Sequence, residues 1–259
     1  MEPIKSFLTI REEIMVTYYS DIRDLKDIHN PLMDNATSMR HTGFFDVIKN
    51  DSTPYFGTSL KKTLHNQGRI FCDDASTLFD ISSGYLSLTL AFSESINDGV
   101  LNRAKGNDYM IWGVNMGEND IYPSGIGGFF TKNGIEFRVA TSSGNYSLTD
   151  SVTTITSGKF FEMEFLWDMD GLSNVDENPT MLIRVNNKSI IGGVIPIAND
   201  LDVNSDFYSG IGQAEPTGSN VFSDIQFQLF DNVHKLNNLP CSISRIIIED
   251  SIPEYFTGS

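Results

Sequence analysis

Tyr85-Leu86-Ser87-Leu88-Thr89-Leu90-Ala91-Phe92 decides the fold. In an extended chain Leu86, Leu88, Leu90 and Phe92 share one side, and Tyr85, Ser87, Thr89 and Ala91 the other. Successive side chains of a strand point to opposite faces, so a period of two marks a strand with one apolar face. Phe160-Phe161-Glu162-Met163-Glu164-Phe165-Leu166-Trp167 repeats the pattern, with Phe161, Met163, Phe165 and Trp167 inward. Residues 180–185 do the same with Met181, Ile183 and Val185, before a turn at Asn186-Asn187-Lys188.

Outward from these three stretches, further strands are predicted over residues 69–72, 109–114, 128–131, 135–139, 189–197, 206–211, 223–230 and 242–249. Lys132-Asn133-Gly134 lies between two of them. Asn and Gly tolerate φ > 0, which a type I′ hairpin turn requires. No helical period follows residue 68. Many short strands separated by turn signals predict an all-β, two-sheet sandwich or a barrel.

Residues 1–66 read differently. Ile14, Tyr18, Ile22, Leu25 and Ile28 fall at spacings of three and four among many charges. That predicts a helix over 10–29, stopped at Asn30-Pro31, because a residue before proline disfavours the helical region. The weaker pattern after it, with a loop at 50–54, reads as an extended arm. The expected division is therefore an N-terminal docking arm, 1–66, and a β-sandwich, 67–259.

The chain has 259 residues, 40% of them hydrophobic and 20% charged. That is ordinary globular usage and excludes a disordered chain, a collagen and a coiled coil. Eighteen basic and 34 acidic residues give a net charge of −16. Phosphate binders need clustered cations, so this balance argues against nucleic acid and against an anionic membrane surface. No window approaches the apolar length of a membrane-spanning helix, and Met1-Glu2-Pro3-Ile4-Lys5 does not open a secretory signal. Cys72 and Cys241 are too few for a disulfide scaffold. In a reducing cytosol they are expected to be buried thiols.

The order of features resembles the laminin-G-like, concanavalin A-like lectin superfamily. Phe79-Asp80-Ile81-Ser82-Ser83-Gly84 running into residues 85–92 is similar to that family's opening. GIEFRVATSSG (134–144), GKFFEMEFLWD (158–168), MLIRVNNKSI (181–190), FYSGIG (207–212) and NVFSDIQFQLFD (220–231) resemble its later strands and turns. The resemblance covers roughly residues 69–250 and implies a jelly-roll sandwich of two antiparallel sheets. Such modules serve as glycan binders, adhesion domains, glucanases and virion proteins, and fold alone does not choose among them.

Glucanases on this fold use Glu-x-Asp-x-x-Glu on one strand, and a glycoside hydrolase needs two carboxyl groups astride the scissile bond. Here Glu162 and Glu164 share a strand face, but the third carboxylate is replaced by Trp167. The reading favoured is a structural polar face and no enzyme. The histidines form no set with Ser or Cys, and G-x-S-x-G and H-E-x-x-H are absent. Asp168, Asp170 and Asp176, in an oxygen-rich loop with Gly171, are the candidate Ca²⁺ ligands; the alternative is a plain acidic turn. Tyr122 and Tyr146, in loops rich in Ser, Asn and Gly, are the candidate glycan contacts, whereas Trp112 and Trp167 are expected in the core.

The function expected first is a non-enzymatic virion structural protein of a tailed bacteriophage, made in the host cytoplasm. It would dock onto other virion proteins through residues 1–66, as an oligomer within an assembly. The alternative is a carbohydrate-binding or adhesion module, calcium-dependent or not, that recognises a host-surface glycan.

Overall fold

The computed structural model describes residues 16–24, 39–42, 45–50, 53–62, 69–72, 78, 83–92, 109–116, 123–131, 134–141, 144–150, 156, 158–168, 180–186, 191–194, 225–229, 241–249 and 253. Among them the chain forms two antiparallel sheets. In chain order the strands are β1 (Val16–Asp21), β2 (Arg40–Thr42), β3 (Asp46–Lys49), β4 (Thr58–Lys62), β5 (Arg69–Cys72), β6 (Ser83–Phe92), β7 (Tyr109–Met116) and β8 (Pro123–Thr131). They continue with β9 (Gly134–Thr141), β10 (Gly144–Asp150), β11 (Phe161–Asp168), β12 (Thr180–Val185), β13 (Ile191–Val194), β14 (Ile225–Leu229) and β15 (Cys241–Glu249). One sheet runs β13-β12-β11-β6-β15-β4-β3, with β1 also paired to β15; the other runs β10-β9-β8-β7-β14-β5-β2. The all-β, two-sheet reading is what the structure shows.

The alternation read from sequence is the alternation that packs. Leu86, Leu88, Leu90 and Phe92 of β6 join Phe161, Met163, Phe165 and Trp167 of β11 and Met181, Ile183 and Val185 of β12 in one core. The facing sheet supplies Ile111, Trp112, Ile126, Phe130, Ile135 and Phe137. Burying a large apolar side chain is worth about 1.5–3 kcal/mol, so the inner faces supply the main drive for closing the two layers. Trp112 and Trp167 are both fully buried, as expected. Cys72 in one sheet and Cys241 in the other are both buried thiols.

Three expectations need correction. Val16–Asp21, inside the expected helix over 10–29, is strand β1, antiparallel to β15 with Tyr18 opposite Ile248 and Asp21 opposite Arg245. Tyr18 and Ile22 are core residues, so the spacing of four was real. Four is also an even number, and Tyr18, Ser20 and Ile22 are buried on strand alternation. Second, residues within 1–66 supply β1 to β4 to both sheets instead of reading only as helix and extended arm. Third, the hairpin expected at Lys132-Asn133-Gly134 closes with Thr131 paired to Gly134. The glycine (φ 128) therefore begins β9 instead of occupying the turn's centre. The strand expected at 206–211 lies outside the described residues.

Candidate functional site

The face of the first sheet turned away from the core carries the polar residues of the alternating strands. Ladder register sorts them into rows. Asp21 of β1 lies opposite Arg245 of β15, Arg245 opposite Thr89 of β6, and Thr89 opposite Glu162 of β11. The next row runs Tyr19, Ile247, Ser87, Glu164 and Arg184.

A bulge makes the first row possible. In β15 the core residues are Cys241 and Ile243, then Ile246 and Ile248. The phase changes because the register with β6 shifts between Ile243 and Arg245. Strict alternation from Ile243 would point position 245 into the core. The extra residue re-aims it outward, which is a common use of bulges beside sites. Buried Ser244 fills the kink, accepting the Ile22 backbone N–H on its carbonyl (2.9 Å).

The two glutamates are held in structural pairs. Glu164 is 2% exposed, and its carboxylate takes both the Nε and an Nη of Arg184 across the β11–β12 ladder. Tyr85 donates its hydroxyl to the same carboxylate at 2.8 Å. A bidentate guanidinium fork is the strong form of such a pair. Glu162, half-buried, accepts the Ser87 hydroxyl at 3.0 Å, and its backbone N–H donates to Asn186 Oδ1 at 3.0 Å. This agrees with reading them as structural, but Glu164 is buried where a partly exposed face was expected. Its oxygens are committed to three donors and are poorly placed for proton transfer to a substrate.

Beside these pairs the loop between β3 and β4 folds back over the sheet. Asn50 N–H donates to the Gly57 carbonyl and Thr53 N–H to the Asn50 carbonyl, each at 2.8 Å. Between them Pro54–Gly57 forms a single helical turn broken at Tyr55, whose φ is 65 and ψ −97. A bulky residue at positive φ is an outlier, held only where its surroundings over-determine it. Here they do. The Tyr55 hydroxyl meets Thr89 Oγ1 at 3.3 Å, and the Arg245 guanidinium lies 3.2 Å from the ring centroid. Arg245 is anchored by Asp21 Oδ1, and Asp21 Oδ2 accepts the Tyr19 hydroxyl at 3.0 Å. Burial, assisted by the hydrogen bond to Asp21 and opposed by Arg245, raises the Tyr19 phenol above its ordinary value. The Arg245 guanidinium is raised too: burial works against it, but Asp21, Tyr55 and Tyr19 outweigh burial.

Tyr55 is 45% exposed and its neighbour Phe56 51%; with Val47 they are the exposed large hydrophobic residues among those described. Arg23 stacks on the Phe56 ring at 3.7 Å. The cluster thus presents two neighbouring aromatic side chains, each with a guanidinium on its ring, above a hydroxyl- and carboxylate-bearing sheet.

Sequence reasoning did not find this cluster. Its one local signal was Pro54-Tyr55-Phe56-Gly57, two aromatics between the turn formers proline and glycine. Of the residues singled out from sequence, Asp168 ends β11 opposite Ser83 and Thr180. Asp170 and Asp176 lie outside the described residues, and so does Tyr122. Tyr146 sits in β10 opposite Val139, with its side chain outside the described set. Among the described residues no three of His, Cys, Asp and Glu gather as a metal site, and no helix is long and apolar enough to cross a membrane.

No protein-family model matches the chain, and no curated protein matches it. Solved structures share its fold. The binding domain of Paraclostridial Mosquitocidal Protein 1 is similar with a TM-score of 0.61 at 13% identity, over 93% of this chain and 50% of that one. The ligand binding domain of botulinum neurotoxin serotype D, in complex with N-acetylneuraminic acid, gives 0.54 at 13% identity, over 93% and 49%. Domain 4 of AbnA, a GH43 extracellular arabinanase from Geobacillus stearothermophilus, in complex with arabinotriose, gives 0.55 at 13% identity, over 90% and 91%. The chain spans about half the length of the two toxin domains. These similarities carry the fold alone.

Proposed function

We propose that the protein is a carbohydrate-binding module that recognises a glycan and does no bond-breaking chemistry. The observation that carries this is the pair of exposed aromatic side chains held on a tight turn above a polar sheet face, Tyr55 and Phe56. Contiguous exposed apolar surface marks an interaction site where scattered single residues do not, and Tyr55 and Phe56 are adjacent. Two further facts support the reading. The sheet-face glutamates are spent on Arg184, Tyr85 and Ser87. Domains of the same fold are known in complex with N-acetylneuraminic acid and with arabinotriose. The finer sequence expectations extend the reading: Tyr122 and Tyr146 as additional glycan contacts, and Ca²⁺ at Asp168, Asp170 and Asp176. The deciding experiment is a glycan array probed with the full chain, with and without EDTA. Saccharide binding is expected. An array blank at high protein concentration ends the proposal, and binding indifferent to EDTA removes the calcium.

A further inference from the structure

We infer that the Pro54–Gly57 turn is the saccharide contact itself and that it takes an uncharged sugar ring, stacked by its apolar C–H face on Phe56 and Tyr55. The inference rests on the carbohydrate-binding reading and adds a place and a ligand class to it.

The place follows from how the rings are held. Tyr55 keeps a left-handed backbone, φ 65, that a glycine would adopt at less cost. The turn is bracketed by the Asn50–Gly57 and Thr53–Asn50 hydrogen bonds, and Gly57 at φ 67 completes the reversal. Strain of this kind collects at ligand contacts. Each ring has one face under a guanidinium, Arg245 on Tyr55 and Arg23 on Phe56. With these guanidiniums in place Tyr55 is still 45% and Phe56 51% exposed. A platform fixed before the ligand arrives loses little side-chain freedom on binding.

The ligand class follows from charge. The chain carries −16 overall, which repels anions at long range. The local cations do not reverse this. Arg245 is neutralised by Asp21, and Arg23 is followed directly by Asp24. A carboxylated sugar would bring a further negative charge close to Asp21. A neutral pyranose or furanose needs only the ring faces, with the guanidinium edges as hydrogen-bond donors to its hydroxyls.

The test uses the full chain and a panel of neutral and carboxylated oligosaccharides on an array. Titration calorimetry follows for the best neutral member and for its counterpart carrying a uronic acid. Neutral members are expected to bind, with the uronic counterpart at least threefold weaker. Phe56→Ala is expected to lower affinity at least tenfold and Phe56→Tyr to restore it, with unchanged thermal unfolding in both. If saccharides bind the wild type and Phe56→Ala and Tyr55→Ala bind as well as it does, the place is wrong while the carbohydrate-binding reading stands. If the uronic counterpart binds as tightly or tighter, the ligand class is wrong. If no member of the panel binds, the carbohydrate-binding reading falls and this inference with it.

Discussion

Trp112 of one sheet stacks on Trp167 of the other, ring centroids 5.5 Å apart and planes 26° from parallel. Phe137 and Phe165 close round the pair, each with centroids under 6 Å from Trp112 (5.8 and 5.4 Å). The stack needs backbone without side chain beside it. A Cβ on Gly128 would stand 2.4 Å from Trp112 Nε1 and 2.8 Å from Phe165 Cζ, and one on Gly84 would stand 2.5 Å from Trp167 Cζ2. Overpacking a closed core costs about 1–3 kcal/mol. Gly128→Ala and Gly84→Ala are each expected to fall in that range in urea denaturation. Gly84→Ala combined with Trp167→Phe should cost less than the sum of the two single changes, because the smaller ring vacates the contested space. Strict additivity would show that the tryptophan is not what excludes the methyl group.

The Glu164–Arg184 pair predicts an asymmetry between breaking and replacing it. Arg184→Ala strands a carboxylate that is 2% exposed. Removing one partner of a buried pair costs about 3–5 kcal/mol. Arg184 is itself 15% exposed, so water reaches the site and the lower end of the range is expected. Replacing both residues with leucine or methionine should restore much of the loss, since a packed apolar pair needs no desolvation of charge. The same double variant should bind saccharide as the wild type does, because the Tyr55–Phe56 platform does not include it. Loss of binding in a folded double variant would move the Glu164–Arg184 pair into the binding machinery.

Tyr19 gives the fold a limit at alkaline pH. Its folded value lies above the ordinary 10.0, raised by burial first and then by its hydrogen bond to Asp21. The folded state holds that proton more tightly than the unfolded chain. The contribution is therefore complete below about pH 10 and is lost as pH rises through the folded value. Tyrosinate absorbance should include a phenol, Tyr19, that ionises later than the exposed ones. Tyr19→Phe should remove that late step and flatten the alkaline fall in stability. An unchanged titration in the variant would assign the late phenol to another tyrosine.

The fold was legible where large apolar side chains recur at every second residue on the inner face. Strands β6, β11 and β12 keep the inner-face period throughout, even where Leu166 and Leu182 add a smaller apolar cluster with Tyr85 on the other face, and β12 was located to the residue. It was misread where two periods agree: the Tyr18–Ile22 spacing suits a helix and a strand alike, and only the partner β15, more than 220 residues on, decides between them. It was missed at the sheet edges, where a strand is short or polar. Residues 46–49 (β3) are largely exposed at a sheet edge, and β10 reads Gly-Asn-Tyr-Ser-Leu-Thr-Asp. Such edges are held largely by ladder hydrogen bonds, which no side-chain period records. The aromatic cluster was illegible for a related reason. Its parts come from β1, the β3–β4 loop, β6 and β15, and the bulge that turns Arg245 outward shows in the apolar pattern only as a lost step.

The backbone of Tyr55 supplies the last prediction, an inverted order of two small residues. In an ordinary loop, alanine is more stabilising than glycine by about 0.4–1 kcal/mol, because glycine leaves the unfolded chain more freedom. At φ 65 and ψ −97 alanine clashes through its Cβ and glycine does not, at a cost of about 1–2 kcal/mol to the L residue. Both substitutions lose the same contacts, to Thr89 and to Arg245, so their difference isolates the backbone. Tyr55→Gly should therefore be the more stable of the two, by roughly 1 kcal/mol once the opposing unfolded-state effect is subtracted. Urea midpoints at equal slope would measure it. Both variants should bind saccharide at least tenfold more weakly than the wild type, so that stability and binding separate: the glycine variant regains the first without the second. If alanine proves the more stable, Tyr55 is not strained, and the turn loses its standing as a conformation kept for a ligand.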